Sequence, residues 1–141
     1  MRMRKKKHLK ERLEKVSEFI IDIKKDIPNV KEAVKNKAYI HVEDLFGEGK
    51  SVNIEMGCGK GGFIRDLALL NPDRAYFAVE MIENIMLLAV ETVKKAEVKN
   101  VRFINVGAEY IERYFKDESV DEIYLNFSPP YPPKGYEGRR L

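Results

Sequence analysis

Two acidic residues and a run of glycines stand where this chain could do chemistry. The run is Gly57-Cys58-Gly59-Lys60-Gly61-Gly62, with Glu55 just upstream and Glu80 closing the next apolar stretch. Glycine lets the backbone take positive φ and lets a ligand approach the main chain closely. A helix opening just after such a loop presents unpaired N–H groups. Glu80, at a strand's end, has acceptor capacity for both hydroxyls of a ribose. Gly57, Gly59 and Gly62 satisfy G-x-G-x-x-G, so a dinucleotide is one reading. Glu55 supports another, because an anion beside the loop repels a pyrophosphate but favours a ligand carrying an amine and a sulfonium. S-adenosylmethionine is such a ligand. A tight strand-to-helix turn holding no ligand, with a solvated strand-end acid at 55, is the plainest alternative.

Other chemistries have less to stand on. No lysine followed by Ser or Thr occurs in the loop, which excludes a P-loop. Cys58 has no His and acid arranged as triad partners, so it reads as a small filler rather than a nucleophile. His8 and His41 are isolated, and no metal site is expected.

The elements that must position these residues alternate regularly. Apolar, β-branched runs at 52–56, 75–80, 101–106 and 122–127 read as strands, and 63–70, 83–96 and 108–115 as the helices between them. Alternation of this kind predicts right-handed crossovers and a doubly wound, mostly parallel α/β sheet. Ligands of such sheets bind beyond the carboxyl ends of the strands, where the glycine loop and Glu80 fall. Upstream, Leu9, Leu13, Val16, Ile20 and Ile23 recur at helical spacing, predicting an amphipathic helix over 8–25 that Pro28 ends. Residues 29–50 are mixed, with a turn at 45–50. The chain divides into an N-terminal arm and helical segment, 1–50, and an α/β domain, 51–141.

Composition narrows the class. A chain of 141 residues, 44% hydrophobic and 35% charged, suits one globular domain. The net charge of +3 says little, but its distribution says more. Residues 1–15 hold eight Lys/Arg against two Glu, and Arg2, Arg4, Lys5, Lys6 and Lys7 make a basic arm. Such an arm binds nucleic acid by counterion release, or is simply a solvated terminus. One cysteine fits a reducing cytosol, and no stretch approaches the roughly 18 apolar residues of a membrane span. A cytoplasmic protein with no membrane partner is the expectation; oligomeric state is not readable.

Several motifs together resemble one family. "MRMRKKKHL" at the start, "IEMGCGKGGFI" (54–64), "NPD" (71–73), "FAVE" (77–80), "IYLNFS" (123–128) and a terminal "RRL" resemble the bacterial tRNA (guanine-N7-)-methyltransferases. The resemblance runs the length of the chain and implies a Rossmann-like class I methyltransferase fold, S-adenosylmethionine as cofactor and tRNA as partner. It implies Glu55 and Glu80 at the cofactor and the basic arm Arg2, Arg4, Lys5, Lys6 and Lys7 on the RNA; Gly57, Gly59, Gly62 and the matching Ala108 are expected with the first, and the matching Arg139 and Arg140 with the second. The family continues for several more strands, so this chain is expected to hold only the N-terminal half of the sheet.

The departures are specific. The loop after the fourth strand, expected to be the substrate loop where the target base sits (Ser128, Pro129, Pro130, Tyr131 and Lys134), runs Asp-Pro-Trp-Pro-Lys-Lys-Arg-His in the family; here Pro129 stands for the acid, Tyr131 for the tryptophan and Pro133 for the first lysine. Gly135 and Tyr136 replace the arginine and histidine, while Pro130, Pro132 and Lys134 match. Gly107 replaces an acidic or amide residue after the third strand. Proline offers no side-chain acceptor and no backbone donor. Ser128-Pro129-Pro130-Tyr131 also resembles the Ser/Asp/Asn-Pro-Pro-aromatic motif of amino-group methyltransferases, whose aromatic stacks on an extruded base. A third possibility is a module that binds tRNA or cofactor and catalyses nothing. No catalytic residue is assigned.

Overall fold

The computed structural model describes residues 8–22 and 38–125. Four strands form the sheet: β1 (Val52–Met56), β2 (Ala75–Val79), β3 (Val101–Ile104) and β4 (Glu122–Tyr124). Their order is β3-β2-β1-β4, and every pair is parallel. Chain order therefore reverses between β1 and β4, the switch point at which doubly wound sheets bind ligands.

The helices are α1 (Leu9–Lys15), α2 (Val42–Phe46), α3 (Gly62–Leu70) and α4 (Glu83–Lys95). β2, "AYFAV", is buried along its whole length, as a central strand covered on both faces must be. Tyr76 and Ala78 face a core built with Ile64, Ala68, Leu87 and Val90 of α3 and α4. Ala75, Phe77 and Val79 face the other core, with Ile104, Tyr114 and Phe115. Phe77 sits edge-on between Phe46 and Phe115, at 5.7 and 5.0 Å between ring centroids.

Over residues 8–22 the structure differs from the expected single helix over 8–25; positions 23–25, with Ile23, and Pro28 lie outside the described residues. α1 stops at Lys15, a 3-10 turn covers Ser17–Phe19, and Ile20 then forms a parallel bridge with Phe103. The Ile21 N–H donates to the Phe103 carbonyl at 2.9 Å. The open edge of β3 supplies backbone partners that a continued helix would leave unmet, so the chain unwinds to cover it. Arg102 on β3 stacks against Phe19 and Phe46, tying this segment and α2 to one edge. α1 itself docks on α4 through Arg12 and Glu91, with the Lys94 ammonium donating to the Lys15 carbonyl at 3.1 Å.

Between β3 and β4 the expected α-helix over 108–115 is a 3-10 helix, Ala108–Arg113. Six residues gain little from α-helical cooperativity, and tight winding is usual in so short a connector. The strand expected to reach residue 106 ends at Ile104, because Asn105 turns to bond the neighbouring strand's end.

Candidate cofactor site

The carboxyl ends of β1 and β2 bring the glycine loop and Glu80 together. The N–H groups of Gly57 and Cys58 both donate to the Val79 carbonyl, at 2.8 and 3.0 Å, which folds the loop back over the end of β2. Gly57 and Gly59 have φ of 69° and 57°, in the left-handed region that favours glycine. The Gly59 N–H then donates to Glu80 Oε1 at 3.2 Å, and the Ile82 N–H donates to Oε2 at 3.0 Å. Gly61 donates to the Cys58 carbonyl at 3.1 Å. The loop's donors at 57, 58, 59 and 61 are thus turned inward, onto carbonyls and a carboxylate. An anion such as a pyrophosphate finds a carboxylate there instead of a nest of free N–H groups.

Glu80 is half-buried, with one bond at each oxygen. A carboxylate has about four lone-pair positions, so acceptor capacity for two hydroxyls is left. Glu55 is wholly buried in β1, paired in register with Ala78. Cys58, also fully buried, lies close enough to both acids to feel their charge. Burial pushes its thiol far above the ordinary range, and the charges of Glu55 and Glu80 push it further. The thiol therefore stays protonated, which agrees with the filler reading. The residues present fit a nucleoside ligand with a cationic end: a ribose acceptor at Glu80, and two carboxylates whose field disfavours anions.

The structure divides the glycines differently from the motif. Gly61, not among the three motif glycines, has φ of 87° and would place a Cβ 2.8 Å from the Ala89 Cα of α4. Gly62 opens α3 and meets only the flexible end of Arg65, at 3.9 Å. The adjacent Gly61-Gly62 pair was a visible signal, but the clash with Ala89 belongs to helix packing and has no local sequence mark.

Beyond β3, Gly107 is buried, and a Cβ there would lie 2.6 Å from both carboxylate oxygens of Glu109. An acid thus stands where a side chain at 107 would project. Ala108 is exposed at the start of the 3-10 helix. Asn105, unremarked in the sequence, bonds the backbone at Glu80 and Met81. The expected substrate-loop residues Ser128, Pro129, Pro130, Tyr131 and Lys134 lie outside the described residues, as do Arg2, Arg4, Lys5, Lys6, Lys7, Arg139 and Arg140. Among the described residues no helix is long and apolar enough to cross a membrane, and no cluster of His, Cys, Asp or Glu could hold a metal ion.

A parallel 3-2-1-4 sheet, a glycine loop after β1 and an acid just past β2 make part of a Rossmann-like fold, and its likeness to known methyltransferases places it in class I. The chain is similar in fold to an antibiotic-related methyltransferase of known structure, with a TM-score of 0.51 and 23% identity over 70% of this chain and 51% of that one. Residues 49–141 match the family described as "Putative methyltransferase", and the chain belongs to that family. It is 43% identical over 97 residues to the tRNA (guanine-N(7)-)-methyltransferase of Bacillus licheniformis, covering 69% of this chain and 46% of the relative. The enzyme of the same name from Streptococcus pyogenes serotype M6 is 42% identical over 98 residues, covering 70% and 46%. The chain spans just under half the length of these curated relatives.

Proposed function

We propose that this protein uses S-adenosylmethionine to methylate guanine N7 in tRNA, in the cytoplasm. The observation that carries the reading is Glu80, held at the end of β2 by the Gly59 and Ile82 amides with acceptor capacity left over. The likeness to two tRNA (guanine-N(7)-)-methyltransferases supports the substrate. In this reading residues 51–141 carry the cofactor-binding domain and residues 1–50 the RNA-binding arm with its helical segment.

Each residue then has a physical task. Glu80 accepts from the ribose hydroxyls, and Gly57 and Gly59 let the loop backbone lie close to the ligand. Glu55 adds negative potential beneath the loop, favouring a cationic ligand. Gly62 opens α3 beside that loop, and Ala108 borders the site beyond β3. When bound, S-adenosylmethionine supplies an electrophilic methyl group on a positive sulfur. Guanine N7 has an in-plane lone pair and no proton to lose, so the protein needs alignment rather than a general base. Ser128, Pro129, Pro130, Tyr131 and Lys134 are the residues proposed to hold the purine, and Arg139 and Arg140 to meet phosphate.

The test is incubation of the protein with unmodified tRNA and methyl-labelled cofactor, followed by nucleoside mass spectrometry. Labelled 7-methylguanosine is the expected product. A base methylated on an exocyclic amine would replace this reading with the amino-group one. Binding of tRNA with no methylated product would reduce the chain to a binding module.

A further inference from the structure

We infer that Asn105 is a positioning residue for the ribose acceptor, tying the end of β3 to the corner that carries Glu80. The inference rests on the cofactor reading of Glu80 and assigns a residue to it that no motif marks.

The corner needs such a tie because the sheet ladder runs out there. The last ladder bond goes from the Glu80 N–H to the Ile104 carbonyl at 3.1 Å. Past it the chain leaves the sheet for α4, and the carbonyls of Glu80 and Met81 face no strand. The Asn105 side-chain amide donates to both, at 2.9 and 3.0 Å. Its orientation is unambiguous, since two carbonyl acceptors admit only the NH2 end. The amide therefore replaces a missing strand with two donors on one side chain.

That replacement acts on the carboxylate. Fixing the carbonyls at 80 and 81 sets the turn by which Ile82, the residue capping α4, aims its N–H back at Glu80 Oε2. Gly59 secures the other oxygen from the β1 side. Glu80 is thus oriented from two directions, and only one of them was evident in the glycine loop. Met81 and Ile82 stay exposed on the same corner, at 66% and 39%, so the tie also sets where these apolar side chains stand. A carboxylate free to rotate would have to be ordered again at each binding event, which weakens affinity.

The experiment compares wild type with Asn105→Ala and Asn105→Ser by calorimetry with S-adenosylmethionine and with its 2′,3′-dideoxyribose analogue. Asn105→Ala is expected to weaken the ribose ligand about tenfold, and the serine, which keeps one donor, by less. The dideoxy ligand should lose much less, and the Asn105→Ala penalty should shrink in a Glu80→Ala background. Equal losses for both ligands, or full additivity with Glu80→Ala, would overturn the positioning role and leave a general stability effect. If Asn105→Ala does not fold, the serine variant decides on the same comparison. A readout without ligand is the Ile82 amide resonance, which should move away from its carboxylate-bonded position in Asn105→Ala, and less far in Asn105→Ser, and hold still in both if the inference is wrong. Should wild type bind no cofactor, the proposed function fails, while the amide resonance still judges Asn105.

Discussion

The carboxylate of Glu80 and the backbone amide of Gly59 are 3.2 Å apart, joining the end of β2 to the loop that leaves β1. One acid thereby shapes the glycine loop and, in the proposed function, accepts from the ribose. Its removal should therefore show in binding more than in folding. Glu80→Ala is expected to weaken S-adenosylmethionine binding roughly 10- to 100-fold, the scale of losing hydrogen bonds to a charged group. Glu80→Gln, which keeps one acceptor oxygen, should fall between. Unchanged affinity by calorimetry would remove the ribose assignment.

Neighbouring glycines should respond oppositely to alanine. Gly61→Ala forces a Cβ to within 2.8 Å of the Ala89 Cα and holds an L-residue at φ of 87°. A loss of roughly 2–4 kcal/mol is expected from overpacking and backbone strain together. Gly62→Ala has room and a helical position, so a gain of up to about 1 kcal/mol is expected. Thermal or urea unfolding of the two variants checks this, and equal effects would contradict the packing argument.

Cys58 should be chemically silent in the folded protein. Burial and two nearby carboxylates raise its thiol, so folding retains a proton that the unfolded chain loses in the ordinary thiol range. Stability is therefore insensitive to this group below that range and falls as pH rises beyond it. Cys58→Ala should flatten that alkaline fall. Alkylation at pH 8 should be slow until denaturant is added; fast labelling of native protein would disprove the burial assignment.

The basic arm carries an electrostatic prediction. Reversing Arg2, Arg4, Lys5, Lys6 and Lys7 should lower tRNA affinity and reduce the salt slope by about 0.7–0.9 for each phosphate that is no longer neutralised. Filter binding across a salt series measures it. A slope that does not move would make the arm a simple terminus.

Legibility followed the range of the forces involved. β1 was read with its ends correct, and β2, α3 and α4 to within a residue, because strand and helix periods are local. Glu80 was legible for the same reason: an acid closing an apolar run is visible without a fold. Ile20 has helical spacing in the sequence, yet its backbone is claimed by the edge of β3. A helix at 108–115 was legible, but its 3-10 winding over Ala108–Arg113 was not, nor was the short helix Val42–Phe46, because packing, not propensity, sets them.

The sequence by itself determined the parallel α/β alternation, the glycine loop with its two acids, and the family likeness, since each is carried by residues close together in the chain. Tertiary structure alone decided that Gly61 must be glycine, that the Glu80 carboxylate is held by the Gly59 and Ile82 amides, and that Asn105 bonds the backbone carbonyls of Glu80 and Met81. Those contacts join residues of different elements, and only folding brings Gly61 against Ala89 and Asn105 against Glu80. Side-chain type was readable in advance; which backbone groups would be left without a strand partner was not.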